Sequence, residues 1–216
     1  MSLTRLSVSL LLALAAAAAQ VPVPELRTEA TTGGSIFYVR NVASQPLTAF
    51  LIELVNYPGS SYSLWQDEVV SGPIPPGGEK RIPVANMTVG AAPEYVKMQA
   101  ALYADGSSGG IPEKVTQLFE RRRSTLETVR ELIRRLEKAQ SAGAPKGALA
   151  ADLKQWADSI QPRGRAGRNS QPAINQAAAA TLIADTAARL EAGSLDDALT
   201  GLRASEHALA VSKPAL

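Results

Sequence analysis

The sequence predicts a segregated α+β fold, in which an antiparallel β-sandwich over residues 20–111 is followed by a helical domain over residues 112–216. Apolar side chains recur at every second position before Gly110 and at three- and four-residue spacings after it. The charge changes at the same place. Residues 21–111 carry five basic and eight acidic side chains, whereas residues 112–216 carry sixteen basic and twelve acidic ones.

The composition is that of a globular protein and excludes several kinds of chemistry. Of the 216 residues, 45% are hydrophobic and 19% are charged, which excludes a wholly disordered or collagen-like chain. The chain has no cysteine, so disulfides, thiolate metal sites and cysteine nucleophiles are excluded. Its single histidine, His207, leaves little room for histidine-based metal sites or triads. We therefore predict no metal, no cofactor and no catalytic residue.

The N-terminus has the pattern of a secretory signal peptide over residues 1–19. A short basic start ending at Arg5 is followed by an apolar run and by the triplet Ala17-Ala18-Ala19. The apolar stretch of about 14 residues is shorter than the roughly 20 that span a bilayer, although an uncleaved anchor remains the alternative. We expect cleavage after Ala19, no membrane span in the mature chain, and a secreted or periplasmic location.

Short β-rich runs separated by turn residues fill the first half of the chain. We predict six or seven strands, and the clearest lie at 35–42, 47–56, 79–84 and 96–103. The run 47–56 is apolar on both alternating faces, which indicates a central strand covered by the partner sheet and by another element, such as the helices. The run 79–84 follows a segment with three prolines, which favours an edge strand.

Three short motifs in this half carry a family resemblance. They are Phe37-x-Val39-x-Asn41, Gln45-Pro46-Leu47-Thr48-Ala49 and Pro73-x-Pro75-Pro76-Gly77-Gly78. Over about residues 25–108 the chain resembles secreted bacterial immunoglobulin-like β-sandwich domains. In those domains an asparagine-and-serine turn precedes the third strand and a proline-glycine corner precedes a later one. The resemblance implies a fold often used for adhesion or binding, without naming a ligand.

Four helices are predicted after Gly110, at about 112–139, 145–160, 172–192 and 194–211. The first is a long amphipathic helix, and its apolar stripe contains one charge, Arg122, which we expect to reach a sheet edge or a carboxylate. Gly143 and Pro162 end the first two helices, and Ser194 with Asp197 resembles a capping box at the start of the fourth.

The predicted loop at 57–68 is the strongest candidate for a binding site. It holds Tyr57, Tyr62 and Trp65, three of the ten aromatic residues of the chain. Aromatic rings beside polar groups can anchor a protein or a glycan partner, and loops on sandwiches often carry binding. The alternative is that Trp65 covers the sandwich core or meets the long helix.

Two other segments have weaker signals. Residues 161–171 place three arginines on a glycine-containing linker, but no aromatic residue lies between them, so nucleic acid is not expected as a partner. The glycine- and serine-rich segment 106–110 lacks the lysine of a nucleotide-binding loop and is predicted to be a joint between the two parts.

Together these features favour a non-catalytic secreted or periplasmic interaction or structural protein of the bacterial envelope. One alternative is a hydrolase that uses carboxylates such as Asp67 and Glu68. These two adjacent residues would point to opposite faces of a strand, so the hydrolase needs a second, distant carboxylate. Another alternative is a scaffold protein that self-assembles through its helical stripe.

Overall fold

The part of the chain that the structure describes contains two antiparallel β-sheets followed by four α-helices. The structure is a computed structural model that describes residues 21–56, 62–85, 93–162 and 170–215. The order of sheets and helices confirms the segregated α+β prediction. The predicted signal peptide, residues 1–19, lies outside the described residues.

Seven strands among the described residues form the two sheets. They are β1 (Glu25–Thr31), β2 (Gly34–Arg40), β3 (Leu47–Leu54), β4 (Ser63–Asp67), β5 (Glu79–Ala85), β6 (Val96–Tyr103) and β7 (Ser108–Gly110). A three-stranded sheet has the order β1-β2-β5, and a four-stranded sheet has the order β4-β3-β6-β7. As predicted, β5 is an edge strand, and its Pro83 is tolerated because an edge strand has a free side.

Strand β3 is covered on both faces, which confirms the interpretation of its apolar pattern. On its inner face Phe50 and Ile52 are fully buried against residues of the three-stranded sheet, including Phe37. On its outer face Ala49 and Leu51 pack in a second cluster with Leu118 of the first helix. The four-stranded sheet is therefore sandwiched between the other sheet and a helix.

The predicted loop at 57–68 was too long, because strand β4 occupies Ser63–Asp67. Leu64 pairs with Ile52 and Trp65 pairs with Leu51, so the two side chains lie on opposite faces of the sheet. With only five residues, three of them polar, the strand shows too little alternation for the sequence to reveal it. Residues 57–61, including Tyr57, lie outside the described residues.

The predicted joint at 106–110 was also wrong, because its last three residues form β7. A Cβ atom on Gly109 would lie 2.1 Å from the carbonyl oxygen of Val21, and one on Gly110 would lie 2.2 Å from that of Gln99. These contacts explain the two glycines by close backbone approach.

The four helices are α1 (Pro112–Ser141), α2 (Lys146–Ile160), α3 (Gln171–Ala192) and α4 (Leu195–Ala210), each end within two residues of its prediction. At the start of α4 the backbone N–H of Asp197 donates to the Ser194 hydroxyl over 3.0 Å, as the sequence indicated. In the described residues no helix is both long and apolar enough to cross a membrane.

Helix α1 belongs to two hydrophobic clusters. Near its start, Leu118 packs on the outer face of the four-stranded sheet. Further along, Leu132 and Leu136 are fully buried with Leu153 of α2 and Ile183 of α3. This single helix therefore connects the sheets to the rest of the helical part.

Candidate functional site

A groove of about 570 Å³ lies between strand β4, helix α1 and helix α3. We call it the β4 groove. Tyr62, Ser63 and Trp65 form part of its wall on the sheet side. The polar residues on the helical side are Lys114, Gln117 and Arg121 of α1 and Gln171 and Thr181 of α3, and the α3 wall also contains Ile174, Ala177 and Ala178. Its volume is typical of ligand-binding clefts.

Trp65 is a partly buried wall residue of this groove. Its ring packs against the cluster around Leu51 and Leu118, where strand β4 meets helix α1. Its indole N–H is buried and finds no hydrogen-bond acceptor among the described residues. An unpaired buried donor costs about 1–3 kcal/mol, so a small shift of the groove wall that let a bound acceptor reach this N–H would be favourable.

Tyr62 lines the groove and also packs against the hydrophobic cluster between the two sheets. Its ring meets Phe37 edge-on, with centroids 6.4 Å apart and planes at 85°. Burial raises the pKa of the Tyr62 phenol. The structure thus brings Tyr62 and Trp65 to one groove, while the third predicted residue, Tyr57, lies outside the described residues.

Arg121 is the cation of the groove that lacks a carboxylate partner within the described residues. Its guanidinium donates to the carbonyl oxygen of Ile174 over 2.9 Å, which links α1 to α3. Burial lowers the pKa of Arg121, and the charge of nearby Asp67 partly opposes this effect. By contrast, Lys114 in the same groove is paired with Glu53 at 2.7 Å.

Arg122 is fully buried and is not among the residues that line the groove. Its Nε donates to Asp67 Oδ2 over 2.7 Å and its Nη2 donates to Asp67 Oδ1 over 3.1 Å, which is a two-point contact. Further bonds reach the Thr48 hydroxyl and the carbonyl oxygen of Lys213. The expectation that Arg122 reaches a carboxylate is confirmed.

Asp67 and Glu68 are held by different cations. Asp67 is bound to Arg122, whereas Glu68 is buried and accepts hydrogen bonds from Lys80 and the Ser71 hydroxyl. A carboxylate fixed to a cation in this way is not free to work with its neighbour as an acid–base pair. This arrangement gives the hydrolase alternative no support.

The structure describes only some of the other candidates from the sequence. Among the residues that the structure describes, no group of three or more histidine, aspartate or glutamate side chains is placed to bind a metal ion. His207 is exposed in the last turn of α4. The arginines at 163, 165 and 168 of the basic segment lie outside the described residues.

The comparisons with known proteins found no relative of this chain. Neither a family model nor a curated protein nor a solved structure matches this chain. The geometry of the β4 groove therefore carries the functional proposal by itself.

The helical wall of the groove was not predicted from the sequence. Lys114, Gln117 and Arg121 are spaced by three and four residues, so they form a polar stripe beside the apolar one on α1. That spacing was a detectable signal. Gln171 and Thr181 of α3 gave none, because only packing brings α3 against the sheet.

Proposed function

We propose that the chain is a non-catalytic interaction protein of the bacterial envelope or exterior, and that its partner, a protein or a glycan, binds in the β4 groove. The observation that carries this proposal is the lining of the groove, which combines an unpaired indole donor with a cation that has no carboxylate partner among the described residues. Within the described residues, the indole N–H of Trp65 lacks an acceptor, and the Arg121 guanidinium donates to the carbonyl oxygen of Ile174 but to no carboxylate. Both groups favour a ligand that supplies acceptor oxygens.

An immunoglobulin-like architecture is part of the proposal, and contacts around Asn41 support it. The buried Asn41 side chain donates to the carbonyl oxygens of Gln45 and Ile74, over 2.8 and 2.9 Å. Its backbone exchanges hydrogen bonds with Gly77 and Gly78. The three motifs behind the resemblance thus meet at one residue. The strand orders β1-β2-β5 and β4-β3-β6-β7 also agree with sheets of that family.

An exported location rests on the signal-peptide pattern of residues 1–19. A mature N-terminus at Gln20 would come directly before Val21, whose side chain packs against the sandwich core. Fractionation of the producing cells and N-terminal sequencing of the recovered protein test both the location and the cleavage site.

Photo-crosslinking in the producing cell tests the groove as the binding surface. A photoreactive phenylalanine analogue replaces Gln117 in the groove, and in the matched control it replaces Glu29, which is exposed on β1. We expect a discrete adduct from position 117 and none of that size from position 29. An absence of adduct at 117, or the same adduct from both positions, would contradict the proposal.

The self-assembly alternative has one observation in its favour. A second groove, of about 450 Å³, lies between α1, α3 and α4, and Val129, Leu182 and Leu202 form part of its apolar lining. Nearby Val70 is 54% exposed. Light scattering of the mature chain tests this alternative, because a monomer at all concentrations would remove it.

A further inference from the structure

The four edge strands of the two sheets differ in how they are protected. Strand β1 carries Glu25, Arg27 and Glu29, and β5 carries Lys80, Arg81 and a proline. Strand β7 is only three residues long, and the Val21 carbonyl lies close against its Gly109. Charges, prolines, shortness and covering segments are the usual means by which proteins block pairing at a sheet edge.

Among the residues that the structure describes, strand β4 is the least protected of these edges, although it is only five residues long. Its sequence, Ser-Leu-Trp-Gln-Asp, contains no lysine, arginine or proline. Its one charge, Asp67, is bound by Arg122 at the face of the sheet. Among the described strands, β4 pairs only with β3.

The hydrogen-bond ladder shows which backbone groups of β4 are free to pair. The N–H of Glu68 donates to Thr48, and the carbonyl oxygen of Tyr62 accepts from Leu54. In an antiparallel ladder, hydrogen-bonded residues alternate with residues whose N–H and C=O point the other way. The backbone groups of Ser63, Trp65 and Asp67 therefore point outward from the free edge of β4.

The lining of the groove beside this edge has a net positive charge. Among the described residues, its ionisable lining consists of one carboxylate, Glu53, and two cations, Lys114 and Arg121, apart from the phenol of Tyr62. Glu53 is already paired with Lys114, so Arg121 remains for an incoming carboxylate. Side chains on one face of an added strand would point into this groove, since alternate residues of a strand share a face.

We propose that the free edge of β4 binds an extended, acidic peptide segment of a partner protein, which adds a strand to the four-stranded sheet and places a carboxylate against Arg121. This rests on the proposed function of the β4 groove as a binding surface. The edge accommodates about five residues, or about 17 Å of extended chain. Backbone pairing supplies the attachment, and Arg121 supplies the preference for an acidic side chain.

A second copy of the chain fits this edge less well. Pairing two β4 strands around a twofold axis would bring together two grooves of the same positive charge, with no added carboxylate for either Arg121. Charge complementarity therefore favours a different, acidic partner.

Peptide titration of the mature chain tests the inference. The probes are three synthetic peptides of equal length in which valine and threonine alternate with glutamate, glutamine or lysine. The chain has two tryptophans, so Trp156→Phe leaves Trp65 in the groove as the only indole reporter. Calorimetry on the unaltered chain provides an independent affinity.

We expect the glutamate peptide to bind at least tenfold more tightly than the other two. Arg121→Gln should reduce its affinity to that of the glutamine peptide, whereas the matched control Arg123→Gln, at an exposed position, should have no effect. Ser63→Pro removes an outward N–H without removing a ladder bond and should abolish binding of all three peptides. Ser63→Ala keeps that N–H and should bind normally. Thermal unfolding confirms that each variant is folded.

Three results would overturn the inference. The first is equal affinity for the three peptides, or no binding of any. The second is a folded Ser63→Pro variant that binds as well as Ser63→Ala. The third is a dimer of the mature chain that Ser63→Pro dissociates, since a second copy would then occupy the edge. If position 117 still gives its crosslinked adduct in such a case, the groove remains a binding surface and only the peptide-pairing inference fails.

Discussion

Three consecutive arginines show how much a single residue's environment depends on its angle around a helix. Arg121 lines the β4 groove, Arg122 is fully buried against Asp67, and Arg123 is exposed. Successive residues of an α-helix are rotated by about 100°, so three neighbours face three directions. Three identical side chains therefore have different roles: Arg121 is a candidate for binding, Arg122 holds Asp67, and Arg123 is solvated.

Arg122→Met should destabilise the fold by about 3 kcal/mol. The substitution keeps much of the side-chain volume but leaves Asp67 without its cation and removes the bonds to Thr48 and Lys213. The value lies at the low end for a broken buried pair, because the Asp67 side chain remains 30% exposed. Urea unfolding measures the effect, with Arg123→Gln as the matched control. A loss below about 1 kcal/mol would mean that the pair contributes no more than a surface ion pair.

At the scale of elements, two arginines bind one glutamate in the middle of α1. Arg134 and Arg135 both donate to the Glu131 carboxylate, at spacings of three and four residues. The Arg135 guanidinium also lies 4.0 Å from the centre of the Trp156 ring on α2. Through Arg135, this group of charged residues therefore links α1 to α2.

The stabilisation from Glu131 should depend on pH. Hydrogen bonds from Arg134 and Arg135 lower the pKa of Glu131 from 4.5 to about 2. Its ionised form therefore stabilises the fold above about pH 4.5, and this contribution is lost as the pH falls toward 2. Since the side chain is partly exposed, we expect Glu131→Gln to cost about 1 kcal/mol or less at neutral pH.

Urea unfolding at several pH values between 7 and 3 tests the Glu131 prediction. The difference between the unaltered chain and Glu131→Gln should shrink below about pH 4.5. Glu127→Gln, at an exposed position on the same helix, serves as the control and should show a small difference at every pH. A Glu131 difference that stays constant or grows on acidification would contradict the assigned direction of the pKa shift.

At the scale of the whole molecule, contacts between distant parts of the chain join the sheets to the helices. Leu118 of α1 completes the outer cluster of the four-stranded sheet, while Leu132 and Leu136 belong to the helical core. The C-terminal segment returns to the same junction, where the carbonyl oxygen of Lys213 accepts from Arg122. Within the sheet part, the hydroxyl of Tyr103 at the end of β6 donates to the carbonyl oxygen of Pro22, which precedes β1.

The sheets and helices should therefore unfold in one cooperative transition. Each of the two tryptophans reports on a different part, since Trp65 lies at the sheet and Trp156 lies on α2. We expect the fluorescence of the single-tryptophan variants Trp156→Phe and Trp65→Phe to give the same urea midpoint as far-UV circular dichroism. Two separated midpoints would show that α1 does not couple the two parts. Leu118→Ala should lower both midpoints together, because it leaves a cavity where helix α1 packs on the sheet.

By itself the sequence determined where the chain changes from strands to helices, which strand is central and where each helix ends. It also indicated Tyr62 and Trp65 as candidate binding residues. These features follow from the local spacing of apolar residues and from turn and cap residues, which act over a few positions. Only the tertiary structure decided that 63–67 is a strand, that α3 closes a groove with β4, and that Arg121 rather than Arg122 faces that groove. Each of these depends on contacts between residues far apart in the chain, such as Arg121 with Ile174 and Trp65 with Leu118, which local spacing does not encode.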